Sequence, residues 1–197
     1  MKKENALIVF QKNEVLGKVK SRLAVTIGEE KALNVYRMLL DLTYSQVAKL
    51  SSSDIFVYYS DEIGDRSFHF PVTKRIQKGQ NLGHRMAVAF EEVFLSGYQK
   101  TVIIGTDCPE ISAELLEQAF GVLDQKDAVI GPALDGGYYL LGMCRFNESL
   151  FQNMPWSSSE VTAQTIEKLN LHKISFGLLK TLRDIDTEED LTTIFPK

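Results

Sequence analysis

Thr101-Val102-Ile103-Ile104-Gly105 is an unbroken apolar run, and Thr106-Asp107-Cys108-Pro109 follows it at once. A strand with one wet face alternates apolar and polar residues, whereas a strand covered by helices on both faces does not. The run therefore predicts a central strand of a parallel sheet with an acid at its carboxyl end. On its N-terminal side, Leu82, Met86, Phe90, Val93 and Phe94 share one helical face. Before them, Val72–Gln77 is a weak strand candidate, and Asp54–Ser60 is a strong one, rich in β-branched and aromatic residues. Helical spacing covers Glu29–Leu50, and Asn5–Phe10 is a compact strand-like run.

On the C-terminal side, Leu115, Leu116, Ala119 and Leu123 predict a helix. Ala128–Ile130 and Tyr138–Met143 predict strands, with the turn Asp135-Gly136-Gly137 between them. Ser157 and Glu160 have capping-box spacing before a helix ending near Asn170. Leu171–Phe176 and Thr181–Ile185 complete the extended segments. Strands alternating with helices predict a three-layer α/β/α sandwich, its sheet mostly parallel with an antiparallel strand at the Asp-Gly-Gly turn. The 197 residues fit a single domain over 1–197.

Composition narrows the function. A net charge of −4 argues against a nucleic-acid-coating surface, which needs a broad basic field. No stretch approaches the length of a membrane span, and Ala6–Phe10 is too short for a signal-peptide core. Cys108 and Cys144 lack metal-binding spacing and read as reduced, buried thiols. A cytoplasmic location is the resulting expectation.

Parallel sheets bind ligands outside the carboxyl ends of their strands, and three of the four chemically suggestive segments fall at predicted strand ends. After the first strand, Lys12, Lys18, Lys20 and Arg22 surround Gly17, a cluster suited to phosphate oxygens. A solvated loop is the plain alternative. It is neither a Walker A loop nor a dinucleotide fingerprint. Asp107 offers hard carboxylate oxygen for Mg²⁺ or Mn²⁺, or else satisfies donors of its own turn. Asp135 can act as a base, with Gly136, Gly137 and Tyr138 admitting a sugar or base ring; an ordinary hairpin turn explains the same residues. Asp186 and Glu189 have N-cap and N3 spacing, and Asp184 and Asp186 should point the same way along an extended segment. Arg85 can touch a ligand or form a surface ion pair, and Trp156 can line an acceptor cleft or anchor the core.

Six ordered segments resemble a bacterial family of transferases, DUF2064 or radical-SAM/selenodomain-associated transferases, with the nucleotide-diphospho-sugar transferase (glycosyltransferase-A) fold. They are residues 12–23, 77–86, 102–110, 130–141, 155–161 and 184–191, and they run over nearly the whole chain. The family loop commonly has Pro where this chain has Asn13 or Glu14, which places an acid among the phosphate-binding candidates. The resemblance implies that Asp107 is the superfamily's metal-binding acid, although the usual Asp-x-Asp is here Gly105-Thr106-Asp107. Related nucleotidyltransferases take a second ligand from a C-terminal segment that matches Asp186–Asp190. Lys20-Ser21-Arg22-Leu23 resembles the first loop of guanylyltransferases that activate phospholactate.

The expectation is a metal-dependent glycosyltransferase using a nucleotide sugar and a small-molecule acceptor. Asp107 and Asp186 would hold Mg²⁺ or Mn²⁺, the basic loop would hold the phosphates, and Asp135 would position or deprotonate the acceptor. Two alternatives stand: a nucleotidyltransferase joining a nucleoside triphosphate to a phosphorylated metabolite, and a nucleotide-binding module without catalysis.

Overall fold

The computed structural model describes residues 3–195. Seven strands form one sheet: β1 (Lys3–Gln11), β2 (Ser53–Tyr59), β3 (Thr73–Ile76), β4 (Tyr98–Ile104), β5 (Ala128–Pro132), β6 (Tyr138–Met143) and β7 (Phe176–Leu178). Their order across the sheet is β3-β2-β1-β4-β6-β5-β7. β1 is parallel to both β2 and β4, and β2 to β3. β6 lies antiparallel between β4 and β5, so the Asp-Gly-Gly turn creates two antiparallel ladders rather than one pair.

The helices are α1 (Ser21–Ile27), α2 (Glu29–Val47), α3 (Leu82–Leu95), α4 (Ala113–Leu123), α5 (Val161–Leu171) and α6 (Glu188–Ile194). Strand alternation divides the core between the two sheet faces. Leu7 and Val9 of β1 join α2 and α4 in one cluster, whereas Ala6 and Ile8 join α3 and α5 in the other. All four are fully buried, which explains why β1 shows no polar alternation. The starts of α3 and α4 are fixed by the Asn81 and Ser112 side chains, which accept from the amides of His84 and Leu115. Among the described residues, no helix is long and apolar enough to cross a membrane.

From β1 the chain runs to β2 on one side, and β4 closes the other side. This reversal of strand order opens a crevice at the carboxyl ends of β1 and β4, where Lys12 and Asp107 begin their loops.

Three local expectations are corrected. Ser157 does not open a capping box: its φ of 66° is left-handed, and α5 starts at Val161 with Glu160 as an N-cap that makes no side-chain bond. The start of α5 is instead tied to the β5–β6 turn, where Gly136 O and Gly137 O accept from the Thr162 amide and hydroxyl. At the C-terminus the capping box shifts by one residue, to Thr187 with Asp190. Leu171 ends α5 and is followed by a turn, so the last strand begins at Phe176; residues 181–185 contribute only the isolated bridge Ala133–Leu182.

Gly136 has φ +88°, and a Cβ there would stand 2.1 Å from the Ser159 carbonyl oxygen. Gly136→Ala should therefore cost about 1–3 kcal/mol in backbone strain, plus displacement of the Ser157–Glu160 loop. The expected reduction in urea midpoint, measured at an unchanged m-value, checks this; an unchanged midpoint would show that the loop yields freely.

Candidate functional site

A cavity of about 920 Å³ occupies the crevice. Gln11 and Lys12 approach it from the end of β1, Gly105–Cys108 from β4, and Asp135, Gly137 and Tyr138 from the β5–β6 turn. Lys20 and Arg22 enter from the α1 side, and Asp184 and Asp186 from the extended C-terminal segment. Asn81, Leu82, Arg85 and Met86 of α3, with Trp156 and Ser157–Ser159, form the opposite wall.

A buried ammonium organises the charged end. Lys20 has a left-handed backbone (φ 48°) immediately before α1, and its side chain is 3% exposed. Its Nζ lies 2.6 Å from Asp107 Oδ1 and 3.5 Å from Asp186 Oδ1, and donates to Ile185 O at 2.6 Å. The Ile185 amide donates to Asp107 O at 2.9 Å, fastening the C-terminal segment to the end of β4. Since one nitrogen reaches both carboxylates, their oxygens are no farther apart than the sum of its two contacts. Arg22 Nη1 approaches Asp186 Oδ2 at 3.4 Å, with 70% of its side chain in solvent.

The other basic residues occupy different surroundings. Lys12 and Arg85 line both this cavity and a smaller adjoining one of about 350 Å³, which Lys18 also lines. Arg85 Nε donates to Gly79 O, while Lys12 and Lys18 form no ion pair among the described residues. Glu14 is drawn away from the phosphate candidates by Arg37 and Arg66, at 3.3 and 3.0 Å. Gly17 lies outside both cavities, against the Glu29 carboxylate. Gly136 also stands outside the main cavity, whereas Gly137, Tyr138 and Trp156 line it.

Asp184 was legible only as an alternating neighbour of Asp186, yet it is the most electrostatically perturbed carboxyl in the cavity. Burial and then the charge of Asp107 push its pKa up to about 7, with Lys20 opposing them. Asp135 uses one oxygen to accept from the Gly137 amide at 2.9 Å; its Oδ2 has no hydrogen-bond partner among the described residues. Gln77, which sequence reasoning assigned no role, spans two strand ends: its Nε2 donates to Gln11 O and Tyr58 O. Its position in the motif at residues 77–86 was the only available signal.

The family model described as an uncharacterized protein conserved in bacteria, DUF2064, matches residues 43–158. A crystal structure of a candidate nucleotide-diphospho-sugar transferase from Desulfovibrio desulfuricans G20 is 31% identical, with a TM-score of 0.92 over all of this chain and 87% of that one. The inositol-1-phosphate CTP transferase from T. maritima has 12% identity and a TM-score of 0.60, covering 96% and 91% of the two chains. A manganese complex of Rv0371C from Mycobacterium tuberculosis H37Rv has 12% identity and a TM-score of 0.55, covering 100% and 99%. The latter two likenesses concern the fold. No curated protein matches the sequence.

The raised Asp184 pKa has a defined stability signature. The folded state retains this proton while the unfolded state, near pKa 3.9, releases it. The contribution of Asp184 to stability must therefore fall as pH rises from about 4 to about 7, then level off. Asp184→Asn should remove that slope, gaining stability relative to the parent at pH 8 compared with pH 5. Urea unfolding at both values checks this, and an equal difference at the two values would contradict the perturbed carboxyl.

Proposed function

The chain belongs to the DUF2064 family and is a transferase of the nucleotide-diphospho-sugar transferase superfamily; from that premise we propose that it takes a nucleotide-sugar donor and transfers the sugar to a small-molecule acceptor. The observation that carries this reading is the meeting of Asp107, Asp186, Lys20 and Arg22 at the carboxyl ends of β1 and β4. Cations beside carboxylates in one crevice suit a diphosphate leaving group, which needs both charge neutralisation and hydrogen-bond donors.

The carboxylates also fit a divalent ion. Asp107 and Asp186 supply hard oxygen, and both contact the one Lys20 ammonium, so their carboxylates face the same point of the cavity. Among the described residues, no group of three or more His, Cys, Asp or Glu side chains is arranged to hold a metal. Two protein carboxylates completed by phosphate and water are an ordinary Mg²⁺ environment. When bound, Mg²⁺ or Mn²⁺ would supply neutralisation of charge on the departing diphosphate.

The chain's own groups account for the other tasks. Arg22, mostly solvated and loosely paired, can turn its guanidinium to phosphate oxygens. Lys20 can exchange a carboxylate contact for one to phosphate without leaving the crevice. Asp135 Oδ2 is available to accept the acceptor's proton. Nucleotidyl transfer is the second reading, favoured by the adjoining cavity: Lys12, Lys18 and Arg85 line space that can take the terminal phosphates of a nucleoside triphosphate.

Product analysis separates the two. With Mn²⁺ and a panel of nucleotide sugars, slow hydrolysis should release a nucleoside diphosphate. Pyrophosphate released from a nucleoside triphosphate, with no diphosphate from any sugar nucleotide, would establish the second reading instead.

The buried ammonium yields a further expectation. In the absence of nucleotide, Lys20→Met should bind Mn²⁺ at least about tenfold more tightly, because the competing charge is removed from Asp107 and Asp186. Arg22→Ala should weaken nucleotide binding by about 1–3 kcal/mol. Mn²⁺ electron paramagnetic resonance and nucleotide titration calorimetry measure these effects separately; unchanged affinities in both variants would remove these residues from the ligand site.

A further inference from the structure

We propose that the end of the cavity bounded by Phe10, Tyr138, Trp156 and Ser157–Ser159 is the acceptor subsite, and that it takes a phosphate-free ring bearing hydroxyl groups, a carbohydrate or cyclic alcohol. The proposal rests on the donor reading above, in which the diphosphate lies against Lys20 and Arg22.

Charge is distributed unequally around the cavity. Its cations come from Lys12, Lys20, Arg22 and Arg85, and none comes from residues 135–161; Arg85 shares the α3 wall, but its Nε donates to Gly79 O and it also lines the adjoining cavity with Lys12 and Lys18. Among the lining residues between 135 and 161, the charge is the carboxylate of Asp135. A phosphorylated acceptor lying there would place a dianion beside an acid, with no counter-cation from residues 135–161 and with Arg85 Nε held on Gly79 O. A neutral acceptor avoids that repulsion.

The uncharged end combines apolar surface with hydroxyl groups. Phe10, Tyr138 and Trp156 are partly buried and pack against the core cluster on the α3 side. Trp156 is seated closely on the first turn of α3: a Cβ at Gly83 would come within 2.1 Å of its indole nitrogen. Its ring also stacks with Phe151 at 6.5 Å and 18°. Tyr138 directs its hydroxyl to Met86 Sδ at 3.9 Å, a weak acceptor that a ligand oxygen can replace. Ser157, Ser158 and Ser159 add three exposed hydroxyls to the same wall. Aromatic surface bordered by neutral donors and acceptors suits a ring whose C–H faces are apolar and whose edge carries hydroxyls.

Asp135 adjoins this end and connects it to the chemistry. Its Oδ1 accepts from the Gly137 amide, which leaves Oδ2 for the acceptor hydroxyl. In the transfer, the acceptor oxygen forms a bond to the anomeric carbon of the donor. The bond from that carbon to the diphosphate oxygen breaks, its electron pair leaves with the nucleoside diphosphate, and the hydroxyl proton passes to Asp135. No oxidant, reductant or further co-reactant is required.

Trp156 is the chain's only tryptophan, so its emission reports on this wall without turnover. The test titrates the full chain with phenyl β-D-glucoside and, separately, with glucose 6-phosphate and glycerol 3-phosphate. The glucoside should change Trp156 emission saturably and bind at least about tenfold more tightly than either phosphate ester. Tyr138→Phe, which preserves the ring, should weaken the glucoside several-fold while leaving nucleotide affinity unchanged. No saturable response to the glucoside, or tighter binding of a phosphate ester, overturns the proposal. Calorimetry with UDP, GDP, CDP and ADP in the presence of Mn²⁺ separates the two failures. Nucleotide binding without a glucoside response defeats the acceptor assignment alone, whereas absence of binding by all four nucleotides defeats the donor reading.

Discussion

The ammonium of Lys20 holds the candidate site together. It is nearly excluded from solvent, and the groups it reaches belong to distant parts of the chain: the end of β4 and the C-terminal segment. Burying an ammonium is costly unless it is paired and hydrogen-bonded, and this one is both. The pairing also serves the acids. Asp107, Asp184 and Asp186 enter one cavity, and their mutual repulsion is relieved by a single internal cation.

The sheet topology explains why the cluster forms there. β1 and β4 are adjacent parallel strands, so the loops leaving their carboxyl ends emerge side by side. β6 then inserts antiparallel beside β4, bringing the β5–β6 turn to the same edge of the sheet. The C-terminal segment returns along this edge through the Ala133–Leu182 bridge and the Ile185–Asp107 backbone bond. Asp135, Asp184 and Asp186 thus reach the cavity through the same arrangement that completes the fold.

The two ends of the cavity are built differently. The charged end depends on ion pairs and a left-handed lysine. The opposite wall depends on close packing: the Ser157–Glu160 loop presses on Gly136, and Trp156 rests on Gly83. Small residues at these two contacts allow the loop to approach both the β5–β6 turn and α3. The wall is consequently coupled to the start of α5, whose Thr162 bonds to the same turn.

The sequence by itself determined the layered α/β class, the central strands and the placement of candidate acids at strand ends. Those features follow from local periodicity and from whether successive side chains must face water. It also marked Lys20, Asp107 and Asp186 as polar residues of chemical interest. Tertiary structure alone decided that Lys20 turns inward between those acids, that Asp184 enters the cavity with Asp186, and that Glu14 turns away to Arg37 and Arg66. It likewise moved the C-terminal capping box to Thr187 and Asp190, leaving Asp186 at the cavity, and tied the start of α5 to the Gly136 turn instead of a serine cap. Residue spacing describes neighbours along one element. The direction and protonation of a side chain depend on charges and backbone groups delivered by other elements, and those are fixed only when the sheet is assembled.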